Sequence, residues 1–314
     1  MNSSDQLHHF HLDSVLSRDG AVTLYRATDS RSGRTILLKI PHPGMEADSV
    51  FADRLERERE IGTKLNHPGL LKVLTDDGQH PAYLAMEWFD GQPLRQLLNQ
   101  NKKLPPERAT RIASGVCDTL YYIHSHGIVH RDLQPENILV DANDSTKLTN
   151  FHVAAKEGAP RLTFTNLSQL LGSSPYISPE ELKGSRGDAR GDIYGLGIIL
   201  YEMLTGKLPF PGPDLFDRLT VNPIPPRDIE PSISPQLQEV IYRAIEREHK
   251  SRYPNAHDMA FDLAHLDQVR LTHRVLLPAR QKASESSLKT PCIYAAIALI
   301  PIIIFGLLLY FARH

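Results

Sequence analysis

The sequence predicts an α+β fold whose strands gather in the first quarter of the chain and whose helices dominate the rest, followed by one membrane-crossing helix at the C-terminus. Three observations carry this expectation. Residues 10–40 read as an antiparallel hairpin and a third strand, with apolar and polar residues alternating around a polar turn. Between 105 and 206, two long segments repeat apolar residues at helical spacing. Ile293 to Phe311 is a run of 19 uncharged, mostly apolar residues. At about 1.5 Å per residue that run just spans a bilayer core of about 30 Å.

Taken in order, residues 10–28 alternate (Val15, Ala21, Leu24, Tyr25) around Ser17-Arg18-Asp19-Gly20, a hairpin signal. The third strand, Thr35 to Ile40, carries one charge, Lys39, inside an apolar run. A lysine in a buried strand needs an anion or a carboxylate. The candidate is Glu58, on a helix expected from about Asp48 to Leu65 and stopped at Asn66-His67-Pro68. The alternative is that Lys39 snorkels from an edge strand. Strands near Leu70 to Leu74 and Ala82 to Trp88 follow. A helix is expected from about Pro105 to His126, ended by Gly127, with Ile112, Val116, Leu120 and Ile123 on one face. Lys147-Leu148-Thr149 reads as a short strand, and a Ser/Thr-rich polar segment runs from Asn150-Phe151-His152 to Ser178-Pro179-Glu180. Gly191 then opens a strongly apolar helix to about Gly206.

Composition narrows the function classes. With 314 residues, 41% hydrophobic and 23% charged, the chain can bury one large or two medium cores. A net charge of −2 and the lack of a Lys/Arg block argue against nucleic acid as a partner. Cys117 and Cys292 have no ligand spacing and suit a reducing compartment. The polar start, M-N-S-S-D-Q-L-H-H, is no signal peptide, and clustered His8, His9 and His11 read as solvated rather than metal-binding.

The chemistry concentrates in Ile128 to Val140, I-V-H-R-D-L-Q-P-E-N-I-L-V, where two apolar runs bracket a polar loop. Asp132 and Asn137, five positions apart, suit a carboxylate that accepts a hydroxyl proton beside an amide oxygen that holds a divalent metal. This segment resembles the catalytic loop of the protein-kinase family, H-R-D-L-x-x-x-N, and its Pro135-Glu136-Asn137 ending resembles the serine/threonine branch. The resemblance covers about residues 10–268 and implies two lobes: a small antiparallel sheet with one helix (about 10–86) and a larger, mainly helical lobe (about 91–268). It implies that Lys39 and Glu58 pair and that Lys39 grips phosphates. It places ATP against Leu16, Asp19, Gly20, Leu24, Leu37 and Lys39, with Met86, Glu87 and Trp88 as the hinge that meets adenine. Mg2+ would lie on Asn137 and Asn150, with Asp132, Lys39, Glu58 and Gln134 in catalytic positions. Asp192 would tie down the catalytic-loop backbone, and Arg252 would pair with Glu180.

The departures from that family cluster where nucleotide would sit. Its three loop glycines fall on Ser17, Asp19 and Val22, leaving Gly20 nearby. Asp19 would repel phosphate, and Leu37 stands where the family keeps a small alanine against adenine. The D-F-G motif reads Asn150-Phe151-His152, which removes a carboxylate from the metal site, and Gln134 replaces the catalytic-loop lysine. These changes imply a pseudokinase acting as a signalling scaffold or allosteric partner for another protein, with ATP and Mg2+ dispensable. The alternative is a weak ATP- and Mg2+-dependent kinase acting on protein Ser or Thr. The expected organisation is an N-terminal tail (1–9), the kinase-like domain (10–271), a flexible linker (272–291) and a transmembrane helix (292–311). Arg280, Lys282 and Lys289 before the apolar run place the domain on the cytoplasmic side. Thr163, Thr165 and Ser168 fall in the family's activation-segment position; the sequence leaves open whether any is phosphorylated, and Arg131 would be the residue to receive such a phosphate.

Overall fold

The computed structural model describes residues 6–74, 83–156, 174–185, 187–210 and 217–272. All of them belong to one compact unit, Met1–His273. The expected linker and apolar segment beyond it, and Thr163, Thr165 and Ser168, lie outside the described residues. Among the described residues no helix is long and apolar enough to cross a membrane.

The smaller lobe is a five-stranded antiparallel sheet in the order β1 (Gln6–Leu7), β2 (Phe10–Arg18), β3 (Val22–Asp29), β4 (Thr35–Pro41) and β5 (Leu84–Glu87). Residues 6 and 7 were expected in a tail; they instead add an edge strand to β2. Alternation along β4 divides the sheet's two faces. Ile36, Leu38 and Ile40 pack with Phe10, Ala27, Tyr83 and Ala85 on one side. Leu37 points to the other, where Leu84 and Met86 meet Phe51 and Leu55 of α1 (Ser49–Lys64). Asp48 caps α1, its Oδ1 accepting from the amides of Val50 (2.9 Å) and Phe51 (3.2 Å).

The expected strand at 70–74 is reduced to isolated bridges, Leu70 to Leu148 and Val73 to Met86. Its backbone amides are divided among different elements, Leu71 donating to Leu148, Val73 to Gly62 and Leu74 to Ala85, so no continuous ladder forms. That division makes the segment a splice between the lobes.

The larger lobe is built on α2 (Leu94–Asn101), α3 (Pro106–Ser125), α4 (Ala189–Thr205), α5 (Pro235–Ala244) and α6 (Ala256–Ala264). Helix α4 is mainly apolar and is buried along nearly its whole length, as a central helix must be. Two glycines let its neighbours approach. A Cβ on Gly197 would come within 2.7 Å of Ala244 and Ile245, and one on Gly195 within 3.3 Å of the Leu133 carbonyl oxygen. The second contact seats the loop of residues 130–137 directly on α4. Short strands frame that loop: β7 (Ile128–Val129) pairs with β10 (Ala155–Lys156), and β8 (Ile138–Asp141) lies between β6 (Gly91–Pro93) and β9 (Thr146–Leu148).

Candidate active site

The loop between β7 and β8 is held from below by Asp192, the fourth residue of α4. Its carboxylate accepts from the backbone amides of His130 and Arg131, both at 2.8 Å, and from His124 Nε2 at 2.8 Å. Burial works to raise its pKa, but the His124 hydrogen bond and the nearby imidazoles outweigh it and hold the carboxyl below the ordinary value. This anchor stabilises Arg131 at φ 65°, a left-handed conformation that a long side chain adopts at a cost. His130 is fixed in one tautomer: Nε2 donates to the Thr149 carbonyl (3.1 Å), leaving Nδ1 to accept from the Asp132 amide (3.3 Å). Its ring packs on Phe151, with 4.8 Å between centroids.

Asp132 is therefore presented by a rigid backbone. Asn137 Nδ2 donates to its Oδ2 (2.8 Å) and to its carbonyl oxygen (2.7 Å), and Gln134 Nε2 donates to its Oδ1 (3.2 Å). Burial pushes the Asp132 carboxyl up, opposed by His130 and by the Asn137 hydrogen bond. Where a lysine would bring a positive charge, Gln134 brings a neutral amide.

Lys39 Nζ meets Glu58 Oε2 at 2.7 Å, so the buried-strand lysine has the partner expected for it. It also donates to Asn150 Oδ1 at 3.3 Å, and Asn150 Nδ2 donates to Asn137 Oδ1 at 3.1 Å. Asn150 sits at φ 70°, which asparagine tolerates better than most residues. His152 Nδ1 contacts the same Asn150 oxygen at 2.7 Å. Burial, reinforced by Lys39, pushes the His152 pKa down to about 4, so the imidazole is neutral at physiological pH.

At the β2–β3 turn the structure adds a detail to the sequence expectation for Asp19. Its Oδ1 accepts from the backbone amides of Ala21 and Val22, both at 2.8 Å, forming a closed turn with no Cβ contact near Gly20. Two amides that could cradle a phosphate are thus already used. Leu16 is exposed on β2 and Leu24 faces Lys39 across the β3–β4 ladder. Leu37, paired with Met86, packs on an apolar cluster that also receives Phe89 and Leu139. Leu139, two residues after Asn137, was read only as part of an apolar bracket; its position on this cluster brings it to the cleft. In the hinge, Arg26 lies 5.2 Å from the Trp88 ring, and Lys147 binds Glu87 Oε1 at 2.7 Å. Lys147 was not singled out from sequence, since a lone lysine on a short strand carries no signal until its partner is known. Arg252 reaches Glu180 through two hydrogen bonds of 2.7 Å, a bidentate pair.

The family model described as protein kinase domain matches residues 17–261. The chain belongs to the protein kinase family, in its serine/threonine branch. It is 34% identical over 263 residues to a probable serine/threonine-protein kinase of Streptomyces coelicolor, covering 81% of this chain and 39% of that protein. It is 32% identical over 264 residues to the serine/threonine-protein kinase PknB of Mycolicibacterium smegmatis, covering 81% of this chain and 42% of that one. The PknB of Mycobacterium leprae is also 32% identical, over 290 residues, 88% of this chain and 46% of that protein. The chain thus spans less than half the length of these relatives. Among solved structures, the kinase domain of Mycobacterium tuberculosis PknI superposes with a TM-score of 0.64 at 22% identity, over 85% of this chain and 99% of that one, a likeness of fold.

The family implies ATP and Mg2+. The residues present do not fit a metal-bound triphosphate well: the Asn137 oxygen is satisfied by an amide, position 150 offers no carboxylate, and Asp19 occupies the turn amides.

Proposed function

We propose that this chain is a membrane-anchored pseudokinase, a serine/threonine-kinase domain that binds a protein partner as a signalling scaffold or allosteric partner and has lost efficient use of MgATP. The observation that carries this reading is the Asp19 carboxylate on the amides of Ala21 and Val22. A phosphate arriving there must displace an anion already hydrogen-bonded at 2.8 Å and tethered to the same turn. Leu37, packed against Met86 and its neighbours, supports the same reading at the adenine end. Anchoring rests on the apolar run 292–311, with the domain cytoplasmic.

A second reading is favoured by the 2.7 Å Lys39–Glu58 pair and by the doubly held Asp132. On it the chain is a weak kinase of protein Ser or Thr, with Asp132 accepting the hydroxyl proton and Lys39 facing the phosphates.

Thermal unfolding with ATP, with and without Mg2+, separates the two. A ligand at 100 times its dissociation constant adds about 2.7 kcal/mol. No shift in either condition is the expected result; a Mg2+-dependent shift, with phosphorylation abolished by Asp132→Asn, refutes the scaffold reading.

A further inference from the structure

We propose that the side-chain amide of Asn150 permanently takes the place of the divalent cation, so that this cleft assembles without metal. The proposal deepens the pseudokinase reading of the same cleft and rests on it. Its basis is the direction of one hydrogen-bond chain, fixed at both ends.

At one end, Lys39 is a donor only, so Asn150 must turn Oδ1 toward it, at 3.3 Å. His152 Nδ1 meets that same oxygen at 2.7 Å and is consistent with it as a donor. At the other end, the Asp132 carboxylate and carbonyl are acceptors only, so Asn137 must turn its NH2 toward them, at 2.8 and 2.7 Å. What remains between the two amides is Asn150 Nδ2 facing Asn137 Oδ1, at 3.1 Å. Flipping Asn150 would set oxygen against oxygen on one side and NH2 against an ammonium on the other; flipping Asn137 would set its oxygen against the Asp132 carboxylate. Neither amide is free to turn.

A hard cation needs oxygen lone pairs that converge on it. Here the Asn137 oxygen already accepts an N–H from Asn150, and the Asn150 oxygen faces Lys39, away from Asn137. A metal entering this place would break both bonds and put a double positive charge beside the Lys39 ammonium. Glu58 and Asp132 supply two negative charges at the ends of the chain and Lys39 one positive charge, with no third carboxylate to offset a divalent ion. Asn150→Asp would supply that carboxylate, and without metal its oxygen would oppose the Asn137 oxygen.

The test uses the full chain, with Mn2+ followed by water-proton relaxation as the probe and thermal unfolding as the second readout. The wild-type chain should bind no Mn2+ in the cleft and unfold at the same temperature with and without Mg2+. Asn150→Asp should unfold at lower temperature without metal, regain stability with Mg2+, and bind Mn2+ in the cleft where the wild type does not. Asn150→Ala, which breaks the chain without adding charge, should be less stable and show no response to metal. Mn2+ binding by the wild type that is lost in Asn150→Ala overturns the proposal, and so does a failure of folded Asn150→Asp to gain metal binding. Should Asn150→Asp not fold, the wild-type and Asn150→Ala titrations still decide. Phosphotransfer is scored in parallel. Turnover by wild type in chelator would refute the scaffold reading and leave this inference standing, whereas cleft Mn2+ binding without turnover does the reverse.

Discussion

Glu181 gives the most quantitative prediction. It is the third residue of a one-turn helix, Pro179–Leu182, and its Oε2 accepts from the Ser178 amide (3.2 Å) and hydroxyl (2.6 Å), completing a capping box. Burial, with the carboxylates of Asp192 and Glu180 nearby, pushes its pKa from 4.5 up to about 7 against those two hydrogen bonds. An acid whose pKa is higher folded than unfolded stabilises the fold fully below the unfolded value, and that contribution is lost as pH rises through the folded one. The window is therefore pH 4.5 to about 7. At about 1.4 kcal/mol per pH unit the interval amounts to about 3 kcal/mol, and partial solvent access to the residue trims it to about 2. Glu181→Gln keeps an oxygen for Ser178 and removes the charge, since a capping box accepts either residue. The variant should match wild type near pH 5 and exceed it at pH 8 by about 2 kcal/mol, or about 4–8 °C in Tm for a domain of this size. Denaturant titrations and thermal scans between pH 5 and 8.5 measure it, and subtracting the two profiles cancels the titrations of groups that do not interact with Glu181. Parallel profiles would refute the assignment.

Three further outcomes follow from the geometry. Lys39→Met strands Glu58, whose side chain is only 4% exposed, and should cost about 3–5 kcal/mol in denaturant unfolding, most of it recovered in Lys39→Met with Glu58→Leu; full stability of the single variant would show that the pair is not buried as described. Leu37→Ala combined with Asp19→Gly should create adenosine and ATP binding detectable by calorimetry where each single change gives little, because the two block opposite ends of the cleft; equal gains from either single variant would contradict that division. Ile300→Arg with Ile303→Arg should move the chain from the membrane pellet to the soluble fraction, since each arginine at mid-bilayer costs about 2.5–3.5 kcal/mol on insertion scales; an unchanged distribution removes the anchor.

Much of the fold was legible because its signals are local. Asp48 before α1, Gly206 after α4 and the apolar spacing of α3 mark their elements within a few residues. The Lys39–Glu58 pair was legible for a different reason, since a buried charge demands a partner and one candidate stood on the next helix. The 70–74 segment misled because a strand pattern fixes alternation and not pairing, and here the amides are divided among separate elements. At Asp19 the sequence carried part of the picture. Its charge was evident, but whether a carboxylate faces a ligand or folds back on its own turn depends on backbone geometry that sequence does not state. Leu139 and Lys147 carried no signal of their own, since their roles exist only through Leu37's cluster and through Glu87.

The residues that depart from the family pattern also bear on how the cleft came to differ. Simple erosion of a site that once held a charged ligand would leave polar groups pointing at nothing, each costing about 1–3 kcal/mol when buried. Among the described residues, the buried side-chain atoms without a hydrogen-bond partner include none from Gln134, Asn150 or His152, and the exposed Asp19 is hydrogen-bonded as well. Each of these four instead bonds within the chain: Asp19 to the turn amides, Gln134 to Asp132, Asn150 to Asn137 and Lys39, and His152 to Asn150. The substitutions are satisfied within the chain, and two of them, Asn150 and His152, bond to each other, while Asn150 orients as it does because Lys39 stands on one side and Asn137 on the other. A cleft so connected holds Lys39 against Glu58, and Asp132 over α4, through hydrogen bonds between the chain's own side chains, each bond fixing the orientation of the next.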